Sequence, residues 1–128
     1  MRLLLDTHAL LWWVEDAPLL SGVARRQIAD EHNDCFVSLA TAWEMAIKAG
    51  LKKLVLAEPV QRYFQQHLPA NDFRLLPLEL DHVTRVETLP LHHRDPFDRL
   101  LIAQALCEGL TLVSGDSMFD DYGIKRLW

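Results

Sequence analysis

The chain has 128 residues and a mass of 14.7 kDa, with 50% hydrophobic and 24% charged residues, enough apolar material for one real core and a single domain expected over residues 1–128. A formal net charge of −5 argues against a protein that holds nucleic acid mainly through a broad basic surface. No apolar run approaches membrane-spanning length, an acid interrupts the start too soon for a signal peptide, and Cys35 and Cys107 lack zinc-site spacing; the expectation is a cytoplasmic protein, with no membrane partner and two buried thiols.

In chain order, Arg2 to Leu5 reads as a buried strand and Thr7 to Val14 as a short helix, with Trp12 and Trp13 expected to pack. Ser21 suits the N-cap of a helix running to about His32, and Asp34 to Val37 reads as a second strand. Ser38 then caps a helix that Gly50 stops. Pro59 fits the first turn of another helix ending near Leu68, followed by a loop over Pro69 to Asp72. Phe73 to Leu76 is a weaker strand, Asp81 to Leu89 a short helix, and Pro90 to Arg94 a connection. The next helix has the clearest punctuation, with Asp95 as N-cap, Pro96 at its first position and Gly109 past its end. Thr111 to Ser114 and Ile124 to Trp128 complete the strands, the second after the turn-rich Asp120 to Gly123. Such alternation predicts an α/β fold, a mainly parallel sheet of four to five strands covered by helices on both faces.

Four carboxylates fall at strand ends or early helical turns of that arrangement: Asp6, Glu44, Asp98 and Asp116. The edge beyond the carboxyl ends of parallel strands is the ligand crevice. Acids crowded there repel one another unless they share a cation, and an all-oxygen set suits Mg²⁺ or Mn²⁺ rather than Zn²⁺. The chemistry implied is metal-assisted phosphoryl transfer. Each acid also has a structural explanation: Asp6 as an N-cap, Glu44 as the partner of Lys48 one turn on, Asp98 as a complement to its helix dipole, and Asp116 as a turn residue. Asp95, as a cap, must turn back onto its own helix, which leaves Asp98 freer to enter the crevice.

Thr7, Ser38 and Ser114 are small hydroxyl residues beside the acids, suited either to bonding phosphate or a ligand carboxylate or to ordinary strand-end capping. Lys48 with Lys52 and Lys53, and Arg94 with Arg99, are candidates for phosphate contacts or simple solvated surface. His92 and His93 have no third ligand at diagnostic spacing and read as polar loop, and His8 reads as structural or surface. No Gly-rich phosphate loop, nucleophile elbow or Cys/His pair is present. A receiver-like signalling module is disfavoured, because Asp6-Thr7-His8 lacks the adjacent acids such a module carries and no Lys follows Thr111 to Ser114. An aspartyl phosphatase fails similarly, with His8 where it needs a second acid.

Motifs at these positions are Leu3-Leu4-Leu5-Asp6-Thr7-His8-Ala9-Leu10-Leu11-Trp12, then Ser38-Leu39-Ala40-Thr41-Ala42-Trp43-Glu44. His93-Arg94-Asp95-Pro96-Phe97-Asp98-Arg99-Leu100-Leu101-Ile102-Ala103-Gln104-Ala105, Leu112-Val113-Ser114-Gly115-Asp116 and Tyr122 to Trp128 follow. In this order they resemble the PIN-domain family of metal-dependent ribonucleases, and more narrowly the VapC-like toxins of bacterial toxin-antitoxin pairs. The resemblance implies a PIN-like three-layer domain with its acidic quartet on Asp6, Glu44, Asp98 and Asp116. Mg²⁺ or Mn²⁺ would be held by Asp6 and Asp98 with Asp116 close by, Glu44 would position a water, and Ser114 would be the accompanying hydroxyl. Gly115 departs from the many relatives that carry a larger residue there. The implied partners are an RNA substrate, a small antitoxin and a second copy of the chain, with Trp43, Phe64 and Tyr63 as candidate surface or core. The alternatives are a non-toxin PIN nuclease and a catalytically silent Mg²⁺- or RNA-binding scaffold.

Overall fold

The computed structural model describes residues 1–128. Strand β1 (Arg2–Leu5) leads through helices α1 (Thr7–Val14) and α2 (Gly22–Ala29) to β2 (Asp34–Ser38). Helices α3 (Leu39–Gly50) and α4 (Val60–Ala70) then precede β3 (Arg74–Leu76). Helix α5 (Leu80–Arg85), a 3-10 turn at Val86–Thr88 and α6 (Pro96–Glu108) carry the chain to β4 (Thr111–Val113). A second 3-10 segment, Ser117–Tyr122, precedes β5 (Arg126–Leu127). The five strands form one sheet in the order β3-β2-β1-β4-β5, and every pairing is parallel. Parallel neighbours require crossovers, which the helices provide on both faces.

Side-chain alternation divides the core into two layers. Leu3, Leu5, Cys35, Val37 and Val113 point into a cluster with residues of α1, α2, α3 and α4, while Leu4 and Leu112 point the other way, into a cluster with α6. Both faces of β1 are therefore buried, which explains why its sequence is a continuous leucine run instead of an alternating one. A buried polar chain crosses the second layer. His82 accepts the Glu79 N–H at Nδ1 (3.0 Å), and its Nε2 lies 2.8 Å from Glu108 Oε1. Gln104, fully buried, donates to the Pro77 carbonyl (3.2 Å) and accepts from the Ser38 hydroxyl at 2.5 Å.

Several boundaries differ from the sequence expectation. Helix α2 stops at Ala29 because Asp30 is extended and turns its carboxylate onto the His32 N–H. Pro59 is the N-cap of α4, not a residue of its first turn, and Pro69 and Ala70 belong to its last turn, where the side-chain amide of Asn71 donates to the His67 carbonyl. The helix expected over Asp81 to Leu89 is α5 and a separate 3-10 turn. Strands β4 and β5 are shorter than expected. Cys35 is buried, but Cys107 lies on the solvent side of α6 and is exposed. No helix is long and apolar enough to cross a membrane.

Candidate active site

The strand order reverses between β1 and β4, since the chain builds β1, β2 and β3 to one side and then returns for β4 and β5 on the other. Such a switch point opens a crevice at the carboxyl ends of the two strands. Asp6 leaves β1 there, its backbone N–H on the Val113 carbonyl (3.1 Å), and Asp116 follows β4 two residues beyond Ser114. Asp6 and Asp116 line one cleft.

Asp6 is both the N-cap of α1, accepting the Ala9 N–H at 2.8 Å, and a member of the crevice, so the two readings of this acid are compatible. Burial raises its pKa above the ordinary carboxylate range, against the lowering hydrogen bonds from the Ser114 hydroxyl and Ala9; the neighbouring Glu44 charge raises it further. Glu44, buried on α3, is held between Thr7 Oγ1 at 2.5 Å and Lys48 Nζ at 2.8 Å. Ser114, fully buried, accepts the Asp116 N–H at its hydroxyl (3.0 Å) and so fixes the turn after β4. Asp116 itself is exposed and caps the following 3-10 segment through the Met118 N–H.

Asp98 stands on the first turn of α6, close enough to Glu44 for their charges to interact, and does not line the cleft of Asp6 and Asp116. Asp95 caps that helix, accepting from Phe97 N (2.8 Å) and Asp98 N (3.2 Å), which frees Asp98 as the sequence suggested. Burial pushes the Asp98 pKa up to about 6, with the Asp95 and Glu44 charges adding and the bond to His93 opposing. His93 Nε2 lies 2.7 Å from Asp98 Oδ2, and one ligand atom each of His93, Asp95 and Asp98 falls within 4.8 Å of the others. His93 lies on a loop, as read from the sequence, and in addition contacts Asp98. Its signal is spatial: a loop folding back over its own helix leaves no spacing rule in the sequence.

Two expectations are corrected. Arg99 is buried and offers no phosphate contact, because its guanidinium is consumed by the loop above it, donating to the carbonyls of Pro90 (2.7 Å), Val86 (3.2 Å), Leu89 (3.3 Å) and His93 (3.4 Å) and to the Tyr122 hydroxyl (3.3 Å). Ser38 is fully buried, and its hydroxyl caps Ala40 N and donates to Gln104, so no phosphate reaches it. Lys52 lines a different cleft, with Ala49 and residues 54–60, while Lys48 is the cation at the carboxylates and Arg94 is exposed on the loop before α6.

The donor set fits a divalent cation. Burial and neighbouring acids raise the pKa of both Asp6 and Asp98, Lys48 pairs with Glu44, and the group of ligand atoms close enough to share one ion is that of His93, Asp95 and Asp98, without Asp6 or Asp116. A divalent cation relieves that repulsion, and the carboxylates offer it the oxygen ligands that a hard ion takes.

A model of the PIN domain family matches residues 3–125. Ribonuclease VapC22 of Mycobacterium tuberculosis (strain ATCC 25618 / H37Rv) is 34% identical over 115 residues, spanning 88% of this chain and 85% of the relative. The solved structure of VapBC2 from Rickettsia felis, bound to a DNA fragment from its promoter, gives a TM-score of 0.73 at 16% identity, covering 98% of this chain and 97% of that one. FitAB bound to the IR36 DNA fragment gives 0.69 at 18% identity, covering 97% and 92%. At those identities the structural likeness speaks to the fold alone. With the family match running from Leu3 to Lys125 across every element of the crevice, the chain belongs to the PIN domain family.

Proposed function

We propose that the protein is a divalent-metal-dependent ribonuclease acting as the toxin of a toxin-antitoxin pair. The observation that carries this reading is the acid set of a PIN-family chain: Asp6, buried at the switch point of the sheet, and the half-buried Asp98, both with raised pKa values and both within electrostatic reach of Glu44. Asp6 and Asp98, with Asp116 at the rim, would hold Mg²⁺ or Mn²⁺. When bound, the metal lowers the pKa of water and neutralises charge on a phosphodiester. The chain's own part is positioning. Thr7 and Lys48 fix both oxygens of Glu44 so that it orients a water, Ser114 fixes Asp6, and His93 fixes Asp98. Arg94, exposed on the loop before α6, would contact the RNA backbone.

The relative's name supports RNA as the substrate, and the VapBC structures support a small antitoxin as the partner, its flexible tail blocking the crevice with an Arg that pairs with the carboxylates. Purified protein should cut single-stranded RNA with Mg²⁺ or Mn²⁺ and stop when a chelator is in excess; cleavage undiminished by chelator would sink the mechanism. Asp6→Asn should abolish cutting and weaken Mn²⁺ binding by calorimetry. In cells, the wild-type chain should arrest growth, Asp6→Asn should not, and co-expressed antitoxin should protect.

A further inference from the structure

Beside Asp6 and Asp116 the crevice opens into a cleft of about 440 Å³ whose remaining walls are largely aromatic. His8 and Trp12 stack with ring centroids 5.2 Å apart and 25° between planes, and Trp12 meets Trp128 at 5.9 Å and 55°. All three rings line the cleft. Trp13, one residue away, does something different: its indole N–H donates to Asn71 at 3.0 Å and its ring lies 6.2 Å from Phe73, inside the first core layer.

Gly115 explains how Trp128 comes to stand there. A Cβ at residue 115 would lie 3.0 Å from Trp128 Cε2 and 3.1 Å from Cζ2, tight enough that the indole would have to give by a few tenths of an ångström. The backbone does not require glycine at this position, since the positive φ values among the glycines belong to Gly109 and Gly123. The small residue is spent on admitting an indole against the turn that carries Asp116. The departure from a larger residue at this point thus has a steric meaning.

We infer that this cleft is the subsite for one unpaired nucleobase of the RNA, next to the phosphate that is cut, with Trp12 and Trp128 as its stacking platform and Gly115 as the residue that admits Trp128. The inference rests on the ribonuclease reading above. A flat, neutral base is matched to an aromatic wall, and a cation held at Asp6 and Asp116 would seat the adjoining phosphate beside it. Paired bases offer no free face, so the occupant is a single-stranded or splayed nucleotide. Aromatic stacking tolerates any base, so the subsite sets strandedness and register more than letter identity.

The test is a cycle between base and ring. The cut site in a single-stranded RNA is mapped with wild-type protein, and each flanking nucleotide is then replaced in turn by an abasic one. At one position the abasic change should lower wild-type kcat/KM by about tenfold, the scale of one stacked base. Trp128→Ala should start lower on the intact RNA and lose less than about twofold on the abasic one, Trp128→Phe should restore most of the difference, and Mn²⁺ affinity should be the same in all three. Gly115→Ala, whose Cβ presses on the ring without deleting it, should flatten the cycle in the same direction and serves if Trp128→Ala fails to fold. Abasic penalties that persist in full in both variants would overturn the subsite. So would a Trp128→Ala protein that has lost antitoxin binding while its base dependence is unchanged, because the cleft would then belong to a protein partner. RNA left uncut by the wild type overturns the ribonuclease reading itself, whereas RNA cut with an additive cycle overturns the subsite alone.

Discussion

Asp98 carries the electrostatic cost of the site in one residue. The folded chain retains its proton up to about pH 6, whereas an unfolded chain releases it near its ordinary value of about 3.9. Between those values ionisation favours the unfolded chain, so this residue lowers stability as pH rises from about 4 to 6, and the loss persists at neutral pH. Asp98→Asn, uncharged throughout, should therefore raise the melting temperature of chelator-treated protein at pH 7.5, with a gain that shrinks toward zero near pH 4. An unchanged melting temperature at pH 7.5 would mean that the Asp98 carboxylate is not held against its own burial. Arg99 has the opposite character, a buried cation satisfied by four carbonyls and one hydroxyl. Arg99→Met should leave those carbonyls unpaired and cost about 3 kcal/mol in urea unfolding, and Arg99→Lys should recover only part, because an ammonium cannot reach a forked set of acceptors. Since these carbonyls include that of His93, cleavage should fall along with the ordering of the loop above Asp98.

At the scale of elements, the N-terminus of α6 and the junction of β2 with α3 decide where the acids sit. Asp95→Ala removes the acceptor of two amides and should cost about 1 kcal/mol of stability. The helix caps, the leucine run of β1 and the Gly109 stop, which takes the left-handed conformation expected there, were all legible in the sequence because each is a local rule. The places of Asp6, Asp98 and Asp116 in the fold were legible for the same reason, being tied to a strand end, a helix start and a turn, whereas Glu44 lies midway along α3. The partners of Arg99, Ser38 and His93 were not legible, because they are set by how loops and helices fold over one another. Ser38 and Gln104 are separated by 66 positions, yet their 2.5 Å bond joins the α3 start to α6. Ser38→Ala and Gln104→Leu should each destabilise the chain, and the double variant should cost less than their sum by about 1 kcal/mol or more, read from a denaturation cycle.

The whole molecule leaves one face of its α3 and α4 layer uncovered. Leu39, Trp43 and Leu75 are 43%, 57% and 48% exposed, and with Phe64 they line a shallow apolar groove of about 430 Å³. Tyr63, by contrast, is buried and takes no part in this surface. Isolated exposed apolar residues need no explanation, whereas a contiguous apolar groove is the candidate surface for the second copy. The second copy proposed from family resemblance would cover it, burying Trp43 near the centre. Each copy carries a net charge of −5, so association brings like charges together and must be driven by apolar burial. Salt screens the repulsion and leaves the apolar term intact. Light scattering at micromolar concentration should accordingly give the mass of two chains, the dissociation constant should fall as NaCl is raised, and Trp43→Asp should give a folded monomer. A wild-type mass of one chain at every salt concentration would remove the dimer, and a dimer that weakens with salt would relocate it to a surface held by opposite charges.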